Sequence, residues 1–110
     1  MVVQDDLVRI DDIGVVFTAT VTRVVSDVDT AVDLSSSTLV QLEFEKPDGT
    51  RLDLKTATIV NSPGTDGIVT WKNTTPSIFD TVGRWKVRGI ATFTNGDLFH
   101  GSWRGFHVAE

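Results

Sequence analysis

The sequence predicts an all-β protein, an antiparallel β-sandwich of about seven to eight strands. Three observations carry this. Apolar and polar residues alternate with a period of two over long windows, turn chemistry punctuates the chain at short intervals, and no window sustains a helical period. A small barrel is the alternative that the same pattern allows.

Taken in order, residues 1–13, MVVQDDLVRIDDI, precede the first alternating run and carry no turn chemistry, so they are expected to form an N-terminal arm to a single domain over 14–110. From Val15 to Val24 one parity holds Val15, Phe17, Ala19 and Val21 and the other Thr18, Thr20 and Thr22, the pattern of a half-buried strand. Between Leu39 and Glu45, Val40, Leu42 and Phe44 alternate with Gln41, Glu43 and Glu45, which names the inward and outward faces. Pro47-Asp48-Gly49 is a tight turn into a strand through Leu52 and Leu54. Further strands are expected at Ala57 to Val60, Ile68 to Trp71 and Gly83 to Phe93, and Pro76 to Val82 has room for one helical turn. Asn95-Gly96 is a strong hairpin signal, favouring a two-residue type I′ turn into a last strand from Asp97 to Val108. Consistent parity gives the expected core: Phe17, Ala19, Val21, Val40, Leu42, Phe44, Trp85, Val87, Ala91, Phe93 and Phe106.

At 110 residues the chain suits one ordinary core, and 40% hydrophobic with 23% charged residues is a globular composition. It has no cysteine, which excludes disulfides and thiolate metal sites. Asp5, Asp6, Asp11 and Asp12 stand where a secretory leader would need a basic and then an apolar segment, and no run approaches the roughly 18 apolar residues of a membrane span. A net charge of −5 disfavours nucleic acid, since phosphate contacts need clustered Lys and Arg. Neither a nucleic-acid nor a membrane partner is expected.

Both histidines fall in Phe99-His100-Gly101-Ser102-Trp103-Arg104-Gly105-Phe106-His107. A two-residue Asn95-Gly96 loop would set Phe93 opposite Leu98, Ala91 opposite His100 and Trp85 opposite Phe106. His100 and His107 would then point to opposite sides of the sheet unless Gly101 or Gly105 supplies a bulge. Ser102 shares a face with His100 but has no evident orienting acid, and it sits one place too early for a nucleophile elbow. The stretch therefore reads as a closing strand. No catalytic residue and no cofactor are expected.

Asp27, Asp29 and Asp33 suggest cation ligands, but an EF-hand would need an oxygen donor at Ala31 and glycine at Val32, so a solvated acidic loop fits better. Trp71, Trp85 and Trp103 suggest sugar stacking, yet Trp85 lies on an apolar parity and packing is the better account. Arg84, Lys86 and Arg88 line the outward side of one strand, with Arg88 beside Trp103, as a solvated basic stripe with a cation–π pair or a contact surface for an acidic partner. Leu7, Val8 and Ile10 give the acidic arm apolar surface. The arm is expected either to pair along its own domain's edge or, as the favoured reading, to reach a neighbouring copy and land on the Arg84, Lys86 and Arg88 stripe.

Ala31-Val32-Asp33-Leu34-Ser35, Val40-Gln41-Leu42-Glu43-Phe44-Glu45-Lys46-Pro47-Asp48-Gly49-Thr50, Thr65-Asp66-Gly67-Ile68-Val69, Val82-Gly83-Arg84-Trp85-Lys86-Val87 and Phe93-Thr94-Asn95-Gly96-Asp97 follow in an order that resembles a small immunoglobulin-like domain of tailed-phage structural proteins, similar to the N-terminal domain of baseplate upper proteins. The resemblance covers about residues 14 to 108. It implies an immunoglobulin-like sandwich and a virion component without enzymatic activity, made in the host cytoplasm and docked onto other virion proteins and copies of itself as a homo-oligomer. Tail, baseplate, head–tail joint and capsid decoration all remain open under it, and a host-glycan adhesion module is the alternative outside it.

Overall fold

The two-residue period becomes strand wherever one parity can be buried. In the computed structural model, which describes residues 8–110 in full together with the backbone of Leu7, the strands are β1 (Leu7–Arg9), β2 (Val16–Thr20), β3 (Thr22–Val25), β4 (Val28–Ala31), β5 (Ser37–Glu45), β6 (Lys55–Thr56), β7 (Thr58–Ile59), β8 (Ile68–Lys72), β9 (Gly83–Phe93), β10 (Leu98–His100) and β11 (Arg104–Ala109). No helix occurs among the described residues, and none is long and apolar enough to cross a membrane. The expected acidic pair Asp5 and Asp6 lies outside them.

One sheet runs in the order β1-β11-β9-β5-β6, with β10 also on β9; a second runs β2-β8-β7; β3 and β4 form a separate hairpin. All pairings are antiparallel except that of β1 with β11. The two larger sheets share one core. Phe17 of β2 meets Phe44 of β5 edge-on at 5.1 Å between ring centres and Phe106 of β11 at 4.9 Å, so aromatic rings bridge the sheets of a cysteine-free chain. Leu42, Val87 and Ala91 extend that core from one side and Val69 from the other. Burial of this apolar surface is the main favourable term in folding.

Of the expected core, Phe17, Val21, Val40, Leu42, Phe44, Trp85, Val87, Ala91 and Phe106 are buried, while Ala19 and Phe93 are partly buried against them. Gly83 to Phe93 is a strand throughout, as the alternation predicts. Other expectations are corrected. The Val15 to Val24 run does not continue as one strand, because Val21 is fully buried where the chain leaves the second sheet: its N–H donates to Gly67 O and its carbonyl accepts from Val32 N. Leu52 and Leu54 form no strand; Leu52 N bonds Phe44 O, Arg51 makes one bridge to Glu45, and the regular pairing on β5 comes later, from β6.

The Asn95-Gly96 turn also differs from expectation. A type I′ loop needs positive φ at both residues, but only Gly96 has it, at 93°. Gly96 N donates to Phe93 O and Phe93 N to Asp97 O, which makes a three-residue loop with glycine in the left-handed position. Register near the turn therefore slips by one: Phe99, not His100, faces Ala91. The slip is undone at Gly101–Trp103, where the expected single strand breaks into β10 and β11, and Phe106 faces Trp85 as predicted. The type I′ turn lies elsewhere, at Ser26-Asp27 with φ of 50° and 65°, between the paired Val25 and Val28.

Candidate interaction surface

Alternation along β9 buries Trp85 and Val87 and turns Arg84, Lys86 and Arg88 outward. Their neighbours decide what they can do. In the β5–β9 register Glu43 stands opposite Arg88 and Glu45 opposite Lys86. Arg88 places Nε 2.8 Å and Nη2 2.6 Å from Glu43 Oε1, Lys86 Nζ lies 3.8 Å from Glu45 Oε2, and Arg51 spans both glutamates at 3.9 and 3.3 Å. Two cations of the stripe expected to be a basic landing place, Lys86 and Arg88, are thus paired within their own sheet, while Arg84 has no ion pair among the described residues. Only Glu43 and Arg88 are well shielded, with side chains 12% and 17% exposed, so theirs is the pair with measurable coupling.

Trp103 completes this cluster. Arg88 lies 4.3 Å and Arg51 5.4 Å from its ring centre, which bears out the predicted neighbourhood of Arg88 and Trp103 and adds a second guanidinium that the sequence had not indicated. Arg84 lays its guanidinium over Gly105, where an added Cβ would meet only the flexible end of that exposed side chain and displace it. Of the other tryptophans, Trp85 is fully buried and donates Nε1–H to Thr81 O, and Trp71 packs on Phe44 and Phe17. None forms an open stacking platform.

Leu7, Val8 and Ile10, expected on an arm favoured to reach a neighbouring copy, lie along their own domain. Leu7 pairs with His107, Val8 is 3% exposed in the core, Ile10 packs against that core, and its N–H bonds Ala109 O. The physical reason is that β11 offers an open edge and the core a site for Val8, with no loop-closure cost to a second chain. Asp11 N then donates to Phe79 O, and Asn73 takes up the next residues with its side chain. Asn73 is fully buried: Oδ1 accepts from Val15 N at 2.8 Å, and Nδ2 donates to the carbonyls of Asp12 at 2.7 Å and Thr75 at 3.3 Å.

The remaining candidates separate. The break at Gly101–Trp103 puts both histidines on the outward side, opposite Ile90 and Arg84, correcting the expectation of opposite faces. Six residues along β9 still keep them roughly 20 Å apart. Ser102 donates its hydroxyl to Asp29 and its N–H to Thr22 Oγ1, which ties the β3–β4 hairpin to the β10–β11 break. Asp27 sits in the hairpin turn, while Asp33 accepts the Ser35 N–H, which holds its carboxyl below the usual range. Among the described residues no three His, Asp or Glu side chains gather as metal ligands would.

The sequence reading missed the most exposed apolar element. The β3–β4 hairpin carries Val24, Val25 and Val28 at 66%, 42% and 62% exposure. Arg23 lies 5.4 Å from the Phe99 ring centre and braces the hairpin over a groove of about 330 Å³ that also includes Phe93, Asp33 and Asp97. The only signal was Val24-Val25 and Val28 around Ser26-Asp27, a pair without the glycine that usually marks such a turn. No protein-family model matches this chain, and neither a curated protein nor a solved structure does.

Proposed function

We propose that the chain is a non-enzymatic docking module, an immunoglobulin-like β-sandwich that serves as a structural component of a tailed-phage virion. The observation that carries the fold part is the strand order: β11-β9-β5-β6 against β2-β8-β7, with β1 added parallel to β11. This corresponds to strands G, F, C and C′ facing B, E and D of the immunoglobulin scheme. The β3–β4 hairpin then occupies the connection between B and C, at the same end of the sandwich as the turn between β9 and β10. Loops gathered at one end of a rigid sandwich are where such folds place their contacts.

The virion part rests on the order of sequence motifs from Ala31 to Asp97, and the docking part on the hairpin's exposed valines beside Arg23 and Asp29. Large exposed apolar groups on a braced element favour a protein contact. The test is to purify particles from a phage lysate in which this gene is present or deleted, and to assay them for the chain. Its recovery in stoichiometric amount, with defective assembly in the deletion, supports the reading. A chain that is made during infection yet missing from purified particles overturns it.

A further inference from the structure

Most sheet edges of the molecule are short or covered. β6 and β7 are two residues long and β1 is three. The free side of β2 and β3 is closed by the β10–β11 break, where a Cβ added at Gly101 would lie 3.0 Å from Thr20 O and 3.1 Å from Thr22 N. The far edge of β4 differs. All four of its residues are exposed, and among the described residues no strand other than β3 pairs with it.

The hairpin register shows what this edge presents. Val25 and Val28 close the type I′ turn as a hydrogen-bonded pair, so Arg23 and Thr30 form the next such pair. Val32 N donates to Val21 O, which continues the same alternation one step further. The N–H and C=O groups of Asp29 and Ala31 therefore point away from β3, and no main-chain bond from another described residue reaches them. β4 has no proline, and its one charged residue, Asp29, is turned to the Ser102 hydroxyl, so the usual protections of an edge are missing. A two-stranded ribbon is also marginal by itself, and this one leaves Val24, Val25 and Val28 exposed.

We propose that β4 takes an extended segment of a partner protein as a third strand, and that this segment alternates apolar residues with lysine or arginine. Charge selects it. The hairpin and the groove beside it bring Asp27, Asp29, Asp33 and Asp97 together with Arg23, an excess of negative charge around the edge. On one face an incoming apolar side chain lies beside Val28 and Thr30, and on the other a basic one lies beside Asp29. Strand addition of this kind draws affinity from main-chain hydrogen bonds and selectivity from alternate side chains. A second copy is the poorer occupant, because β4 set antiparallel to itself about Thr30 brings Asp27 opposite Asp33. The pairing rests on the docking role proposed above for this hairpin and not on the particle that holds it, so peptide binding tests the one and particle composition the other.

The test is NMR of the full isotope-labelled chain with the blocked peptide Lys-Val-Lys-Val-Lys-Val-Lys and its counterpart with glutamate in place of lysine. The basic peptide is expected to bind with a Kd of about 1 mM or tighter. At about ten times its Kd, amide exchange at Asp29 and Ala31 should slow about tenfold, a main-chain effect that loose electrostatic association does not give. The acidic peptide should leave both amides unchanged. Asp27→Asn together with Asp97→Asn should raise the Kd at least about threefold. Ala31→Pro, which removes a donor on the open side, should abolish the slowing at Asp29 while circular dichroism shows the fold intact. Exchange at Asp29 and Ala31 that the basic peptide leaves unchanged, equal slowing by the acidic peptide, or slowing that follows the concentration of the chain alone, as self-pairing gives, overturns the proposal.

Discussion

Asn73→Ala is the substitution that most directly tests how the chain entrance is held. Three side-chain hydrogen bonds disappear together, leaving Val15 N–H and the carbonyls of Asp12 and Thr75 without them at a fully buried site. A hydrogen bond contributes about 1 kcal/mol net, and an orphaned buried group costs about 1–3 kcal/mol. Water entering the vacated space recovers part of this, which puts the loss at about 2–4 kcal/mol. For a domain near 100 residues that lowers the melting temperature by roughly 10 to 25 °C. The assay is urea unfolding at constant m-value with a parallel thermal scan.

Asn73→Asp supplies the control. It retains an acceptor for Val15 N–H but points an anion at two carbonyl oxygens, so burial and repulsion raise its folded pKa above the unfolded one. Its stability relative to wild type should improve as pH falls from 7 to 4 and worsen as pH rises. An Asn73→Ala loss below 1 kcal/mol, or an Asn73→Asp penalty that grows toward low pH, would refute the account of this residue as the tie between the entering chain and β8.

Three further outcomes are expected. Val8→Asp, which places a carboxylate in the core beneath β11, should lower the urea midpoint sharply, whereas a partner-facing Val8 would tolerate it. Asp33, Asp48, Asp66 and Asp80 have carboxyls held below the ordinary range, the first two by backbone N–H groups of Ser35 and Thr50, Asp66 by Asn61, and Asp80 by Lys46. Lowered folded pKa values mean the unfolded chain binds more protons, so stability should be constant above the ordinary aspartate range of about 4 and fall below it, which urea midpoints at pH 7 and pH 3 will show. Asp27→Gly relieves a left-handed residue in the type I′ turn and should raise stability by about 0.5–1 kcal/mol by the same unfolding assay.

What the sequence determined by itself is what depends on neighbours one and two residues away. Alternation named Val40, Leu42, Phe44, Trp85 and Val87 as inward residues and Arg84, Lys86 and Arg88 as outward ones, because a pleated strand has no other way to place them. It also set Arg88 beside Trp103, although the hairpin turn was misread: the slip it introduces is cancelled at Gly101–Trp103 before that part of the strand is reached. The tertiary structure decided everything that depends on which strands meet. That Glu43 and Glu45 pair with Arg88 and Lys86 follows from the β5–β9 register, and that Leu7–Arg9 lies along its own domain follows from the free edge of β11. Phe79 and Asn73 became fully buried core residues from irregular segments with no period to read. Their places are set by space and unpaired backbone groups contributed by residues far away in sequence, and a local pattern contains no record of those.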